Sequence, residues 1–220
     1  MMRSCRLFVA GVAVLLLAAA VSAQFMGRGP SMRGVWSPVV GSGSAYLMES
    51  KKDKTEVEYA IVGTEMFQGK PGHWLEMTMK GKEGEMVSKI LMVVDGQNLQ
   101  FARMVMQVPG EEPMEMPMNM SMGMMGGGER QPQHTDIRLD AVKVGTETVT
   151  TPGGTFTCEH YRTKDGADVW FTEKVVPYGL VKMTSKDSNM TLIRVISNAK
   201  TKIRGTPRKF DPAGMMRERP

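Results

Sequence analysis

Residues 154–197 read GTFTCEHYRTKDGADVWFTEKVVPYGLVKMTSKDSNMTLIRVIS. Short β-prone runs alternate here with turn residues, because Asp165-Gly166, Pro177-Tyr178-Gly179 and Asp187-Ser188-Asn189 each separate two runs at hairpin spacing. An Asp-Gly pair tolerates the positive φ angles of a tight hairpin turn, so it marks two adjacent antiparallel strands. The stretch predicts a four-stranded meander with strands at 154–163, 167–175, 179–186 and 189–197.

Working outward, the same pattern recurs. Candidate strands lie at 44–51, 55–64, 73–80, 86–94, 98–107 and 136–149, and Gly81-Lys82-Glu83-Gly84 and Asp95-Gly96 link residues 73–107 into a three-stranded meander. No window keeps a 3.6-residue apolar period for three turns, so helices are not expected. In 73–80, His73, Leu75, Met77 and Met79 share one face, and Trp74, Glu76, Thr78 and Lys80 the other. In 154–163, Phe156, Cys158, His160 and Arg162 oppose Thr155, Thr157, Glu159 and Tyr161. Such faces fit a mainly β domain whose sheet is covered on one side and half-wet on the other, with a closed barrel left as an alternative.

The composition narrows the class. The chain has 220 residues, 23 of them methionine, with 24 Gly, 12 Pro, 23% charged residues and a net charge of +5. These proportions exclude collagen, coiled-coil and multi-span membrane classes. Arg3 and Arg6, the apolar run Leu7 to Ala20 and the small residues Val21-Ser22-Ala23 read as a cleaved signal peptide over 1–23, with a mature start near Gln24. The apolar run is too short for a stable membrane span. Cys5 precedes that run, whereas a lipid-anchoring cysteine would follow it. The expected location is periplasmic or extracellular. Without Arg3 and Arg6 the balance is 26 basic to 23 acidic residues, which is no footprint for nucleic acid. Cys158 is then the single cysteine, so no internal disulfide is expected.

The expected organisation is a flexible leader at 24–43, a single β domain at 44–198 interrupted by an insert at 108–135, and a flexible basic tail at 199–220. Within the insert, Met114, Met116, Met118, Met120, Met122 and Met124 recur every second residue and Met125 follows. An extended backbone would put six thioethers on one side. Thioether sulfur is a soft, neutral ligand that selects Cu(I) or Ag(I). Glu111, Glu112, Glu115 and His134 could add harder ligands. The same run also reads as an adaptable flap over an apolar surface or as low-complexity sequence without a fixed partner. Met77, Met79, Met92, Met104 and Met106 sit on strand patterns and read as core.

Other chemistry is sparse. Cys158 and His160, two apart on one strand, share a face and could touch one ion or form a thiolate–imidazolium pair; a buried free thiol beside a hydrogen-bonded histidine is the plainer reading. Hydrolase elbows, zinc-protease pairs, phosphate loops and dinucleotide fingerprints are missing, so the chain is read as no enzyme.

Gly72-His73-Trp74-Leu75-Glu76-Met77 and the run from Asp168 to Met183, with its Trp strand, Val-Pro-Tyr-Gly turn and Leu-Val-Lys strand, resemble uncharacterised exported bacterial proteins. The closing pattern is also similar to carriers and sensors of the outer-membrane lipoprotein-sorting superfamily. The resemblance implies a strongly curved, half-barrel-like antiparallel sheet, here of about ten strands with a long Met-rich loop, whose apolar concave face is often plugged by helices. The function it implies is non-catalytic binding of an apolar or lipid-like ligand, with Leu75, Met77 and Met79 as candidate lining. A soft-metal binding or buffering protein using the methionines of 114–125 is the alternative. No resident cofactor is expected beyond Cu(I) in that alternative.

Overall fold

The alternation along the sequence is realised as strands over most of the chain. The computed structural model describes residues 34–51, 53–81, 84–116 and 133–210. Strands β1 (Gly43–Ser50), β2 (Lys54–Phe67), β3 (Lys70–Gly81), β4 (Gly84–Asp95) and β5 (Asn98–Gln107) lie side by side in antiparallel order, and β6 (Met114–Met116) returns along β5. The short β7 (Gln133–His134) pairs with the start of β5. A second meander follows: β8 (Ala141–Thr151), β9 (Gly154–Thr163), β10 (Asp168–Phe171), β11 (Leu180–Thr184) and β12 (Ser188–Ile196). Antiparallel pairing of β1 with β12 fuses the two meanders. A last short strand, β13 (Arg208–Lys209), adds to β6 in parallel. The sheet is therefore mainly antiparallel, curved and open. It runs from β13 and β6 at one edge to β8 at the other, without closing into a barrel.

The turn chemistry explains the register. Gly96 and Gly166 adopt φ of +62° and +82° in the Asp95-Gly96 and Asp165-Gly166 turns, conformations that glycine reaches without a Cβ clash. The first hairpin closes with Asp95 opposite Asn98, and the second pairs from Arg162 opposite Asp168, beyond a turn closed by the Thr163 N–H on the Ala167 carbonyl at 2.9 Å.

Four expectations need correction. The strand expected at 136–149 begins with a 3-10 turn, Ile137–Leu139, because the Asp136 side chain accepts from the Arg138 backbone N–H and caps it; the strand starts at Ala141. The strand expected at 167–175 ends at Phe171, because Val175 and Tyr178 are buried in the core instead of alternating. The leader is not loose throughout: Val35 and Ser37 donate to the carbonyls of Tyr178 and Pro177 at 2.9 and 2.8 Å, and Gly34 lies so close to Tyr178 that a Cβ would clash. The tail is likewise built in through residue 210. Ile203 packs on a cluster of Trp74, Leu91, Val93, Ala102 and Val105, and Arg208 and Lys209 extend the sheet.

No α-helix occurs among the described residues. Where the resemblance implied plugging helices, the loop 172–179 covers the face around β1. Ser44 Oγ bonds the Val176 carbonyl, the buried Tyr46 hydroxyl donates to the Leu180 carbonyl at 2.9 Å, and Trp36 packs on Tyr178 with ring centroids 5.0 Å apart. Tyr46, Phe171, Ile61, Met190 and Leu192 are fully buried. Each such apolar side chain contributes about 1.5–3 kcal/mol relative to exposure.

Candidate functional site

Residues directly opposite one another on neighbouring strands project to the same face. On β3, Leu75 lies opposite Ile61 and Ile90, Met77 opposite Tyr59 and Ser88, and Met79 opposite Val57 and Met86. His73 lies opposite Met92, and Met92 opposite Phe101. The face continues on β5 and β6, where Met104 opposes Met116 and Met106 opposes Met114. Toward the second meander it carries Met48, Met190 and Met183 in three consecutive strands. Met66, two residues beyond Thr64 and opposite Pro71, completes the set.

Every methionine among the described residues thus falls on one face of the sheet. The opposite face has apolar positions too, including Leu47, Trp74, Val87, Leu91, Val93 and Val105, yet none is methionine. A general methionine-rich composition would populate both faces. The partition is positional.

The opposite face is ionic. Glu58 receives Arg194 at 2.5 Å and Lys202 at 2.6 Å, and Lys80 reaches Glu56 at 3.2 Å. Glu76, only 3% exposed, accepts from Thr201 Oγ1 at 2.5 Å and from the Lys202 backbone N–H at 2.8 Å. Arg103 bridges Glu65 and Glu115, and its hydrogen bond holds the Glu115 carboxyl below the usual carboxylate range.

The structure places Leu75, Met77 and Met79 on the methionine face, Leu75 buried and the two methionines half-buried. His73 shares that face, and burial lowers its affinity for a proton. Met114 and Met116 lie on β6, half-buried and buried respectively. Met118, Met120, Met122, Met124 and Met125 lie outside the described residues. The harder ligands suggested by sequence do not gather with Met114 and Met116. Glu115 projects to the other face toward Arg103, Glu112 pairs with Arg208 at 2.5 Å, and His134 faces Asp140 at 3.6 Å. Among the described residues, no group of three or more His, Cys, Asp and Glu could hold a metal.

Cys158 and His160 do share a strand face, but their surroundings separate their roles. The His160 ring stacks on Trp170, with centroids 4.3 Å apart at 17°. Its Nε2 meets Asp168 at 2.8 Å and its Nδ1 meets Glu147 at 3.0 Å, so both ring nitrogens are engaged. Trp170 Nε1 donates to the same Glu147 at 2.6 Å, and Lys182 lies 5.0 Å over the indole. Arg162 holds Asp168 at 2.9 Å and, by that hydrogen bond first, depresses its carboxyl. Cys158 is fully buried. Burial, reinforced by the Glu147 charge, pushes its thiol up to about 11, so it stays protonated at neutral pH. The plainer of the two sequence readings describes this pair.

Sequence reasoning missed the Glu147–His160–Asp168 bracket and the Met48–Met190–Met183 row. Both depend on which strands become neighbours across the sheet, and the bracket also on a bulge between Lys143 and Gly145.

No family model matches the chain, and no curated protein matches it. Among solved structures it is similar to a candidate lipoprotein from Parabacteroides distasonis, at 12% identity and TM-score 0.35 over 75% of this chain and 99% of that one. It is also similar to a candidate exported protein with a YmcC-like fold from Bacteroides fragilis, at 15% identity and TM-score 0.35 over 74% and 99%. A third is MucB in complex with MucA(peri), at 11% identity and TM-score 0.33 over 75% of this chain and 53% of that one. TM-scores this low do not establish a shared fold.

Proposed function

We propose that the protein is an exported, non-catalytic binding protein that holds an apolar, lipid-like ligand against the methionine face of its sheet. The observation that carries this reading is the confinement of every described methionine to that face. An unbranched, polarizable thioether side chain re-packs around partners of varied shape, which suits a surface for a flexible apolar chain. Leu75, Met77 and Met79 form the stripe that such a chain would follow. The resemblance of the Asp168 to Met183 run to lipoprotein-sorting carriers supports the same class of ligand. Export is supported by the signal-peptide pattern of Arg3, Arg6, Leu7 to Ala20 and Val21-Ser22-Ala23.

The non-catalytic reading is supported by the side chains best suited to chemistry. Cys158 is buried with a raised thiol, and His160 has both nitrogens occupied. A general base needs a nitrogen free to take a proton from substrate.

The test is native mass spectrometry of the chain from Gln24, purified without detergent. Co-purified non-covalent mass is expected in the parent protein, and its loss in Met77→Lys/Met79→Lys of unchanged circular dichroism. A ligand-free parent, or bound mass kept by the variant, contradicts the proposal.

A further inference from the structure

We infer that the β5–β6 hairpin carries a soft-cation site, made by the thioethers of Met104, Met106, Met114 and Met116 and suited to Cu(I). The site goes beyond the apolar-ligand reading and does not depend on it.

The geometry is a two-by-two grid. Met104 faces Met116 and Met106 faces Met114 in the β5–β6 register, so two methionines two residues apart on one strand meet two on the next. Side chains directly opposite start about 5 Å apart at Cβ and diagonal ones about 7 Å apart. The methionine stem can bring four sulfurs from those positions to one centre. Met104 and Met116 are buried, whereas Met106 and Met114 are half-buried, so the grid has a closed floor and an accessible rim.

The second strand of the grid is fixed. β6 is hydrogen-bonded to β5 on one side and to β13 on the other. Arg208 N–H donates to the Pro113 carbonyl at 2.9 Å and Phe210 N–H to the Glu115 carbonyl at 3.0 Å. Glu115 is pinned on the opposite face by Arg103 at 2.6 Å. The thioethers therefore sit on a held strand, which removes much of the ordering cost that a flexible loop would incur on binding.

The chemistry of the surroundings selects the ion. The neighbouring positions on the same face are Ser88 and Ile90 on β4, which carry no charge, and Arg208 on β13 beside Met114, whose charge is paired with Glu112 at 2.5 Å. A neutral all-sulfur set gives little to hard, multiply charged cations, and it binds without losing a proton. A monovalent soft ion adds a single charge to a neutral ligand set whose one neighbouring cation, Arg208, is already paired with Glu112.

The experiment is a Cu(I) titration of the chain from Gln24 in ascorbate, in competition with a chromophoric Cu(I) chelator. The parent should saturate with a discrete high-affinity site. Met104→Leu/Met116→Leu, a near volume-conserving change, should weaken it by more than roughly tenfold, since direct ligands matter at least as much as the outer-shell partners whose loss costs about 10–100-fold. Replacing Met118, Met120, Met122, Met124 and Met125 together by Leu should leave that site in place. No saturable binding by the parent, unchanged affinity in the double variant, or loss of the site in the five-residue variant overturns the proposal. To remove any dependence on the variants' folding, Ag(I) is added to unmutated protein labelled at the methionine methyls. The resonances of Met104, Met106, Met114 and Met116 should move most, and a response centred on other methionines overturns the assignment.

Discussion

Met48 on β1 lies directly opposite Met190 on β12, at the seam where the two meanders become one sheet. Met190 in turn faces Met183 on β11 and is fully buried. Adaptable side chains at this seam fill the space between two hairpin arrays whose turns are set independently.

Met190→Ala should therefore cost about 2–5 kcal/mol, the range for emptying a packed core site. Met66→Ala, at a position 64% exposed, should stay within about 0.5 kcal/mol. Urea unfolding of both variants checks this. Equal costs would mean that the seam is not a packed core.

The C-terminal segment stabilises the ionic face. Removing residues 200–220 strips the buried Glu76 carboxylate of both partners and uncovers the Trp74 cluster where Ile203 packs. The expected loss is about 3 kcal/mol, from an uncompensated buried charge together with lost apolar burial. A truncated protein with the parent's urea midpoint would show that the segment contributes nothing.

Acid should weaken the second meander through Asp168. Its carboxyl lies below the ordinary value because Arg162 and His160 hold the charged form. A depressed folded value contributes stability that is present above the unfolded value, about 4, and is lost as the pH falls through the folded one. Asp168→Asn should thus cost about 1 kcal/mol at pH 7, scaled for a partly exposed pair. Parent and variant should converge as the pH drops below the carboxylate range. A difference that persists or grows in acid contradicts this account.

Cys158 should be silent toward a disulfide reagent at pH 8 in the folded chain from Gln24, since it is fully buried and its thiol is raised to about 11. One equivalent should react after denaturation. Reaction in the native state would show that β9 opens far more readily than its packing implies.

Much of the fold was legible because turn residues and period-two alternation are local signals. Asp95-Gly96 and Asp165-Gly166 placed hairpins where the structure has them, and the face of Leu75, Met77 and Met79 followed from alternation alone. What was not legible depends on contacts between distant segments. Nothing near Val175 or Tyr178 announces that this loop turns inward to cover β1. The charges of Arg204, Arg208 and Lys209 gave no sign that their backbone would finish the sheet. The methionine grid has the same origin, because Met104 and Met116 are opposed only once β6 folds back on β5.

The central claim, that the methionine face is the binding face, is tested most directly by methyl-labelled methionine resonances recorded while the chain from Gln24 is titrated with a long-chain fatty acid. The account predicts saturable shifts at Met77 and Met79, with the indole N–H signals of Trp74 and Trp170 on the opposite face unmoved. Saturable binding that shifts those indoles and leaves the Met77 and Met79 methyls in place would contradict it, as would the absence of binding.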